Sequence, residues 1–234
     1  SLLLARSRLC VTALVWQNSF PSRRSDTSLT HSKYQFGKEN DMSKKKQKSA
    51  KEALKALKEG NKRFASDKPV YERHDADARA ELVEGQHPYA IILSCADSRV
   101  IPELVFDAGL SDLFVVRVAG NIANTSSIAS IEYAVANLDV RLVVVLGHEN
   151  CGAVSAALAG GEHGHNLNVL LAHLKPCVPK TASKITGTTL KNAVKKNAKH
   201  NAKMLRERST ILSDKKLEIV PAYYNLASGK VDFL

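Results

Sequence analysis

The apolar positions of this chain switch between two periods. From Ser49 they recur at helical spacing: Leu54, Leu57 and, beyond a Gly-Asn interruption, Phe64 fall near one face with Lys and Glu between them, and Pro69 ends the run. After Pro88 comes a continuous apolar stretch, Tyr89-Ala90-Ile91-Ile92-Leu93, which predicts a strand buried on both faces. Residues 102–109, opened by Pro102 and closed by Gly109, predict a brief helix. Leu113-Phe114-Val115-Val116 predicts a second strand, ending at residues 117–120, and Ser126 or Ser127 then caps a helix that carries Ile128, Ile131, Val135 and Leu138. Leu142-Val143-Val144-Val145-Leu146 is the third predicted strand, and a further helix begins at Gly152. Three buried strands separated by helices imply a parallel sheet with right-handed crossovers.

The remaining pattern is less regular. Residues 161–168 form a polar, Gly-containing loop whose His163 and His165 are candidates for a second metal site or a proton relay, although loop histidines are ordinarily just solvated. A long basic helix is expected over about residues 188–205. The chain closes with a strand at residues 217–220, then Pro221-Ala222-Tyr223-Tyr224, a turn at Ser228-Gly229 and a returning edge segment from Val231 to Leu234, with Pro221 kept off the middle of the sheet. The expected fold class is therefore α/β: a parallel-centred β-sheet flanked by helices, one domain over residues 47–234 with an N-terminal helical arm that packs either on a partner subunit or on its own sheet. No internal repeat occurs, and no apolar run is long enough to cross a bilayer.

Charge alters this picture only at the ends. The net charge of +11 is concentrated in residues 1–51, at +8, and residues 180–216, at +9, leaving −6 for everything between and after them. The basic block containing Lys191, Lys195, Lys196, Lys199, Lys203, Arg206 and Arg208 is interleaved with Asn and Ala and lacks aromatics, so it reads as a solvated helix face, and no nucleic-acid partner is expected. Residues 1–46 read as a disordered basic leader outside the fold. Residues 1–25 hold four arginines, several Ser and Thr and no acid, the composition of an organellar transit peptide, whereas the short apolar core of a secretory signal is interrupted by Thr12. The rival reading is an untranslated or cloning-derived leader before a start at Met42. Four cysteines without a Cys-x-x-Cys form no disulfide framework and fit a reducing compartment, so the expected location is organellar, with a mitochondrial-type leader, or cytoplasmic, and not secreted.

Candidate chemistry sits where two of the strands stop. Ser94-Cys95-Ala96-Asp97-Ser98-Arg99 follows the first strand and Gly147-His148-Glu149-Asn150-Cys151-Gly152 the third, the strand ends at which open α/β sheets place their ligand sites. Taken singly, Cys95 and Cys151 have the character of small buried residues and His148 that of a core histidine. Together, two thiolates and a neutral imidazole give a tetrahedral zinc three ligands and leave one position for chemistry. Asp97 either fills that fourth place in a closed state or pairs with Arg99 in a bidentate salt bridge and leaves it to water. Gly147 and Gly152 superficially suggest a phosphate loop, but Ala153-Val154 stands where Lys-Ser/Thr would follow.

At these residues the chain resembles a β-class carbonic anhydrase. Cys95-Ala96-Asp97-Ser98-Arg99 matches the family's Cys-Ser-Asp-Ser-Arg, and Gly147-His148-x-x-Cys151-Gly152-Ala153 its second zinc motif. Ala119-Gly120-Asn121, Ile131-Glu132-Tyr133-Ala134, Ala222-Tyr223-Tyr224 and Ser228-Gly229-Lys230-Val231 extend the likeness over roughly residues 50–234. The resemblance implies zinc held by Cys95, His148 and Cys151, a catalytic dyad of Asp97 and Arg99, and reversible hydration of CO2 to bicarbonate by zinc-bound hydroxide. It also implies a homodimer or higher homo-oligomer, and Gly152 is assigned to substrate binding. Ala96, Val118 and Pro221 depart from the usual Ser, Asn and Gly. Ile92 stands where members that close the site with their aspartate carry Trp, so Asp97 is expected to stay with Arg99. The alternatives are a relative acting on CS2 or COS with the same five residues, and a non-catalytic zinc- or bicarbonate-binding protein, which would have no need of Arg99.

Overall fold

In a computed structural model, residues 47–179 and 185–234 are described. The expectations for residues 1–46 lie outside them. Helix α1 spans Ala50–Phe64 and starts at its own signal: Ser49 accepts from Glu52 N while the Glu52 carboxylate accepts from Ser49 N, a reciprocal capping box. A short α2, Ala76–Glu81, leads to strand β1, Ala90–Ser94. Then come a single turn α3, Pro102–Val105, strand β2, Leu113–Arg117, and helix α4, Thr125–Asn137. Strand β3 is Leu142–His148, followed by α5, Gly152–Ala159, α6, His165–Ala172, and the long α7, Gly187–Arg208. Strands β4, Glu218–Tyr224, and β5, Val231–Phe233, complete the order.

The sheet runs β2-β1-β3-β4-β5, parallel throughout except for the antiparallel β5. This is the expected α/β architecture with a parallel centre. Because side chains alternate across a strand, the all-apolar central strands feed two cores at once. Ala90, Ile92, Leu142, Val144 and Leu146 face α1 through Ala53 and Leu57. Ile91, Leu93, Val143 and Val145 face α4 and α7 through Ile131, Ala134, Ala198 and Leu205. The helical arm thus covers its own sheet. Its approach to the segment after α3 is close enough to require glycine, since a Cβ on Gly60 would lie 1.8 Å from the Phe106 carbonyl oxygen.

Several local expectations change. The helix at residues 102–109 is only the turn Pro102–Val105, because Asp107 adopts a left-handed φ of 45° and its carboxylate turns to Arg63 Nε (2.5 Å) and to the amides of Val70 and Tyr71. The α4 cap is Asn124, two or three residues before the expected serine, and its side chain accepts from Ser127 N at 2.9 Å. Pro221 lies inside β4, opposite Val145 and between two neighbouring strands, and not away from the middle of the sheet. The strand tolerates it because Glu218 N donates to Arg141 O on the β3 side, so the alternate position 221 faces the other way, where Leu234 N donates to Pro221 O at 2.9 Å beyond the end of β5. No β3 bond needs the missing N–H. Among the described residues no helix is long and apolar enough to cross a membrane.

Candidate metal centre

Parallel register brings the two motifs together. Ser94 of β1 lies opposite Leu146 of β3, so Cys95, the next residue, comes level with Gly147, and His148 ends the neighbouring strand. Cys151 is the cap residue of α5, and its carbonyl accepts from Ser155 N at 2.9 Å. The loop between is fixed to β4: Glu149 N donates to Tyr224 O at 2.8 Å, and Glu149 Oε2 accepts from Leu226 N at 3.0 Å. As a result one ligand atom from each of Cys95, His148 and Cys151 lies within 4.8 Å of the others, and all three residues are buried.

Histidine orientation selects the metal-facing nitrogen. His148 Nδ1 lies 2.8 Å from the Glu149 carbonyl oxygen, which can only accept, so Nδ1 carries the proton and Nε2 presents its lone pair. Nε2 is buried and has no hydrogen-bond partner. A buried polar atom left unpaired costs roughly 1–3 kcal/mol, which argues that this nitrogen is held for a ligand. The residues therefore fit a zinc ion, both in donor chemistry and in the orphaned nitrogen. The neighbouring Cys151 thiol lowers the Cys95 pKa, against the effect of burial, with the Gly120 N–H adding to the stabilisation; Cys151, buried beside Cys95, is pushed up.

Asp97 is turned away from an open coordination role. Arg99 Nε donates to Oδ1 at 2.9 Å, a second guanidinium nitrogen to Oδ2 at 2.7 Å, and the Arg99 amide to Oδ1 at 2.9 Å. The Arg99 side-chain hydrogen bond holds the Asp97 carboxyl well below the usual range, burial opposing it only in part. Its Oδ2 nevertheless stays 3.8 Å from His148 Nε2, at the margin of the trio. Arg117 braces the same loop from β2, donating to the carbonyls of Cys95 at 3.0 Å and Asp97 at 2.7 Å. Gly152, exposed at the start of α5, has nothing within 4 Å of where a Cβ would be, so the approach beside Cys151 is open. Ile92 is fully buried in the sheet.

The loop histidines do not join this group. His163 and His165 are exposed, His163 Nε2 lies 3.1 Å from Gly160 O, and His165 begins α6 where a loop was expected. Among the described residues the Cys95-His148-Cys151 set is the one cluster of its kind. Sequence reasoning missed the backbone contacts of Arg117 and two buried asparagines of α7. In the sequence Asn197 and Asn201 carry no local signal that sets them apart from the exposed Asn192 of the same helix.

A mostly parallel α/β sheet with a buried Cys-His-Cys donor set at the carboxyl ends of two adjacent strands defines a zinc metalloprotein. A family model described as carbonic anhydrase matches residues 90–231, and the chain belongs to the β-carbonic anhydrase family. It is 54% identical to carbonic anhydrase 2 of Mycobacterium tuberculosis over 112 residues, which are 48% of this chain and 54% of that protein. Identity to the carbonic anhydrase of Mycolicibacterium smegmatis is 48% over 112 residues, again 48% of this chain and 54% of the other. The chain thus spans about half the length of the curated relatives it matches. Among solved structures it is similar to a tetrameric β-carbonic anhydrase of the filamentous ascomycete Sordaria macrospora, with a TM-score of 0.62 and 26% identity, covering 78% of this chain and 97% of that one.

Proposed function

We propose that this chain catalyses the reversible hydration of CO2 to bicarbonate and a proton, with zinc held by Cys95 Sγ, His148 Nε2 and Cys151 Sγ. The observation that carries the reading is the buried trio with its unpartnered Nε2, beside a carboxylate that Arg99 keeps occupied on both oxygens. Zinc bound there supplies Lewis acidity that lowers the pKa of water to about 7, an effect whose standard instance is a carbonic anhydrase with three histidine ligands. Asp97, kept ionised by Arg99, acts only as an acceptor; its Oδ2 takes a hydrogen bond from the attacking water and turns that oxygen's lone pair toward CO2. Arg99 and Arg117 hold the loop in this geometry, and the open face before Gly152 admits the substrate.

The family's assembly supports a homo-oligomer here too, since the Sordaria relative is tetrameric and β2 forms one edge of the sheet. Residues 1–46, as a leader outside the domain of residues 47–234, support organellar delivery over cytoplasmic residence, which a fluorescent fusion would test by its distribution. For the activity the test is stopped-flow CO2 hydration with the purified, zinc-quantified full chain. A rate indistinguishable from buffer at full zinc occupancy would overturn the reading, and turnover of CS2 or COS alone would replace its substrate.

A further inference from the structure

Two polar side chains sit deep in the helix layer for no evident packing reason. Asn197 and Asn201, one turn apart on α7, are 0% and 3% exposed. An amide buried against a core is costly unless its groups are paired, so its partners indicate what it is there for. Asn201 Nδ2 donates to Asn197 Oδ1 at 2.8 Å and to Asn197 O at 3.0 Å, which leaves Asn197 Nδ2 and Asn201 Oδ1 aimed off the helix. Both reach one loop. Asn197 Nδ2 donates to Gly120 O at 2.8 Å, and Asn201 Oδ1 accepts from Ala123 N at 2.7 Å. From the end of α7, Arg208 donates to Ala123 O at 2.5 Å.

That loop is not shaped by its own preferences. Gly120 and Asn121 both adopt left-handed φ values, 71° and 44°, and Asn121 Nδ2 is a buried donor with no partner. A Cβ on Gly120 would lie 3.1 Å from Leu174 Cδ1 in addition to the conformational cost. Contacts from outside must therefore hold it, and the α7 asparagines supply them. What the loop delivers is one hydrogen bond: Gly120 N–H donates to Cys95 Sγ at 3.3 Å. The route runs from α7 through the two peptide groups that flank the Gly120 Cα to a sulfur of the metal centre.

We propose that Asn197 and Asn201 are positioning residues of the metal centre, fixing the Gly120 N–H against Cys95 Sγ through the loop of residues 120–123. The proposal rests on the reading of Cys95 as a ligand. An amide donor withdraws charge from a thiolate and restricts its rotation, and partners of this kind commonly change metal affinity by about 10–100-fold when removed. Asn197 bonds to no metal ligand and acts through the loop, at Gly120 O and, at 3.4 Å, Asn121 Oδ1.

The test compares Asn197→Leu and Asn201→Ala with Leu205→Ala, a truncation on the same helix in the core formed with α4. Each is measured as the full chain for thermal stability, for zinc release to a chelator and, after cobalt substitution, for the thiolate-to-cobalt charge-transfer band. The asparagine variants should release zinc roughly tenfold faster and shift the band, whereas Leu205→Ala should lower the melting temperature and leave both unchanged. Asparagine variants that lose stability alone, like Leu205→Ala, would overturn the proposal. Should both asparagine variants fail to fold, the wild-type chain loaded with cadmium-113 decides by scalar coupling. Coupling of the metal to the Cys95 β-protons and to the Gly120 amide proton is expected. Coupling to Cys95 without Gly120 overturns the proposal alone, and no coupling to Cys95 overturns the ligand reading along with it.

Discussion

Cys151 and Asp97 lie close together in the site and yet should fail in different ways. Cys151→Ser exchanges a thiolate for a neutral hydroxyl at a buried ligand position, so the variant should lose both bound zinc and CO2 hydration, as read by metal analysis and stopped-flow. Retention of stoichiometric zinc would remove Cys151 from the ligand set. Asp97→Asn keeps the shape but turns one acceptor into a donor. Zinc content should be unchanged while the hydration rate drops by about 100-fold or more. The candidate ligand residues were legible in the sequence because each motif follows a short apolar run read as a buried strand, which places it at the carboxyl edge of the sheet. Asn197 and Asn201 were not legible. Their role depends on a loop more than seventy residues earlier in the chain, and helical spacing alone cannot distinguish a buried amide from a solvated one.

Among the elements, the strands were the easiest to foresee and the segments joining them the hardest. β1, β2 and β3 appear within a residue or two of their apolar runs; burial on both faces requires the unbroken apolar sequence of β1 and β3, whereas β2, at the sheet edge, is half-buried. Helix α6 was hidden behind Gly160, Gly161 and Gly164, although Leu171 and Leu174 beyond them are buried in the cluster around Cys95 and Cys151. The truncated α3 reflects Asp107, whose side chain is 1% exposed and bonded to Arg63. Burial alone would raise the Asp107 pKa, but the Arg63 hydrogen bond and the amides of Val70 and Tyr71 outweigh it, so the folded value lies below the usual one. A carboxylate depressed in the folded state adds stability above its unfolded pKa, near 4, and loses it as pH falls through the lower folded value. Asp107→Asn, whose amide suits the left-handed φ, should cost about 1–3 kcal/mol at pH 7 in denaturant titrations. Below pH 4 the difference from the wild type should shrink. A constant difference across that range would show that Asp107 is not the titrating group.

For the molecule as a whole, the question is where the domain begins. Helix α1 carries its own capping box at Ser49 and buries Ala53 and Leu57 under the sheet, so the helix has a start signal of its own. Deleting residues 1–46 should therefore leave the melting temperature within about 2 °C and CO2 hydration unchanged, a small shift for a domain of this size. A drop of ten degrees would place part of that segment in the core. Basic charge, the most conspicuous bulk property of the sequence, turns out to be partly committed: Lys191 and Lys195 lie over the Tyr223 ring, 5.6 and 5.1 Å from its centroid, and Lys203 pairs with Glu207 at 3.3 Å.

The sequence by itself determined the sheet, the layer architecture and the ligand types, because strand burial, helix period and donor chemistry are local properties that each residue carries wherever the chain takes it. Which side the α1 arm covers, how an interior strand accommodates Pro221 and which amide faces Cys95 were decided only by tertiary structure. Each of these depends on a contact between segments far apart in the chain, where a hydrogen bond or a clash has no trace in local spacing until the fold brings the partners within reach.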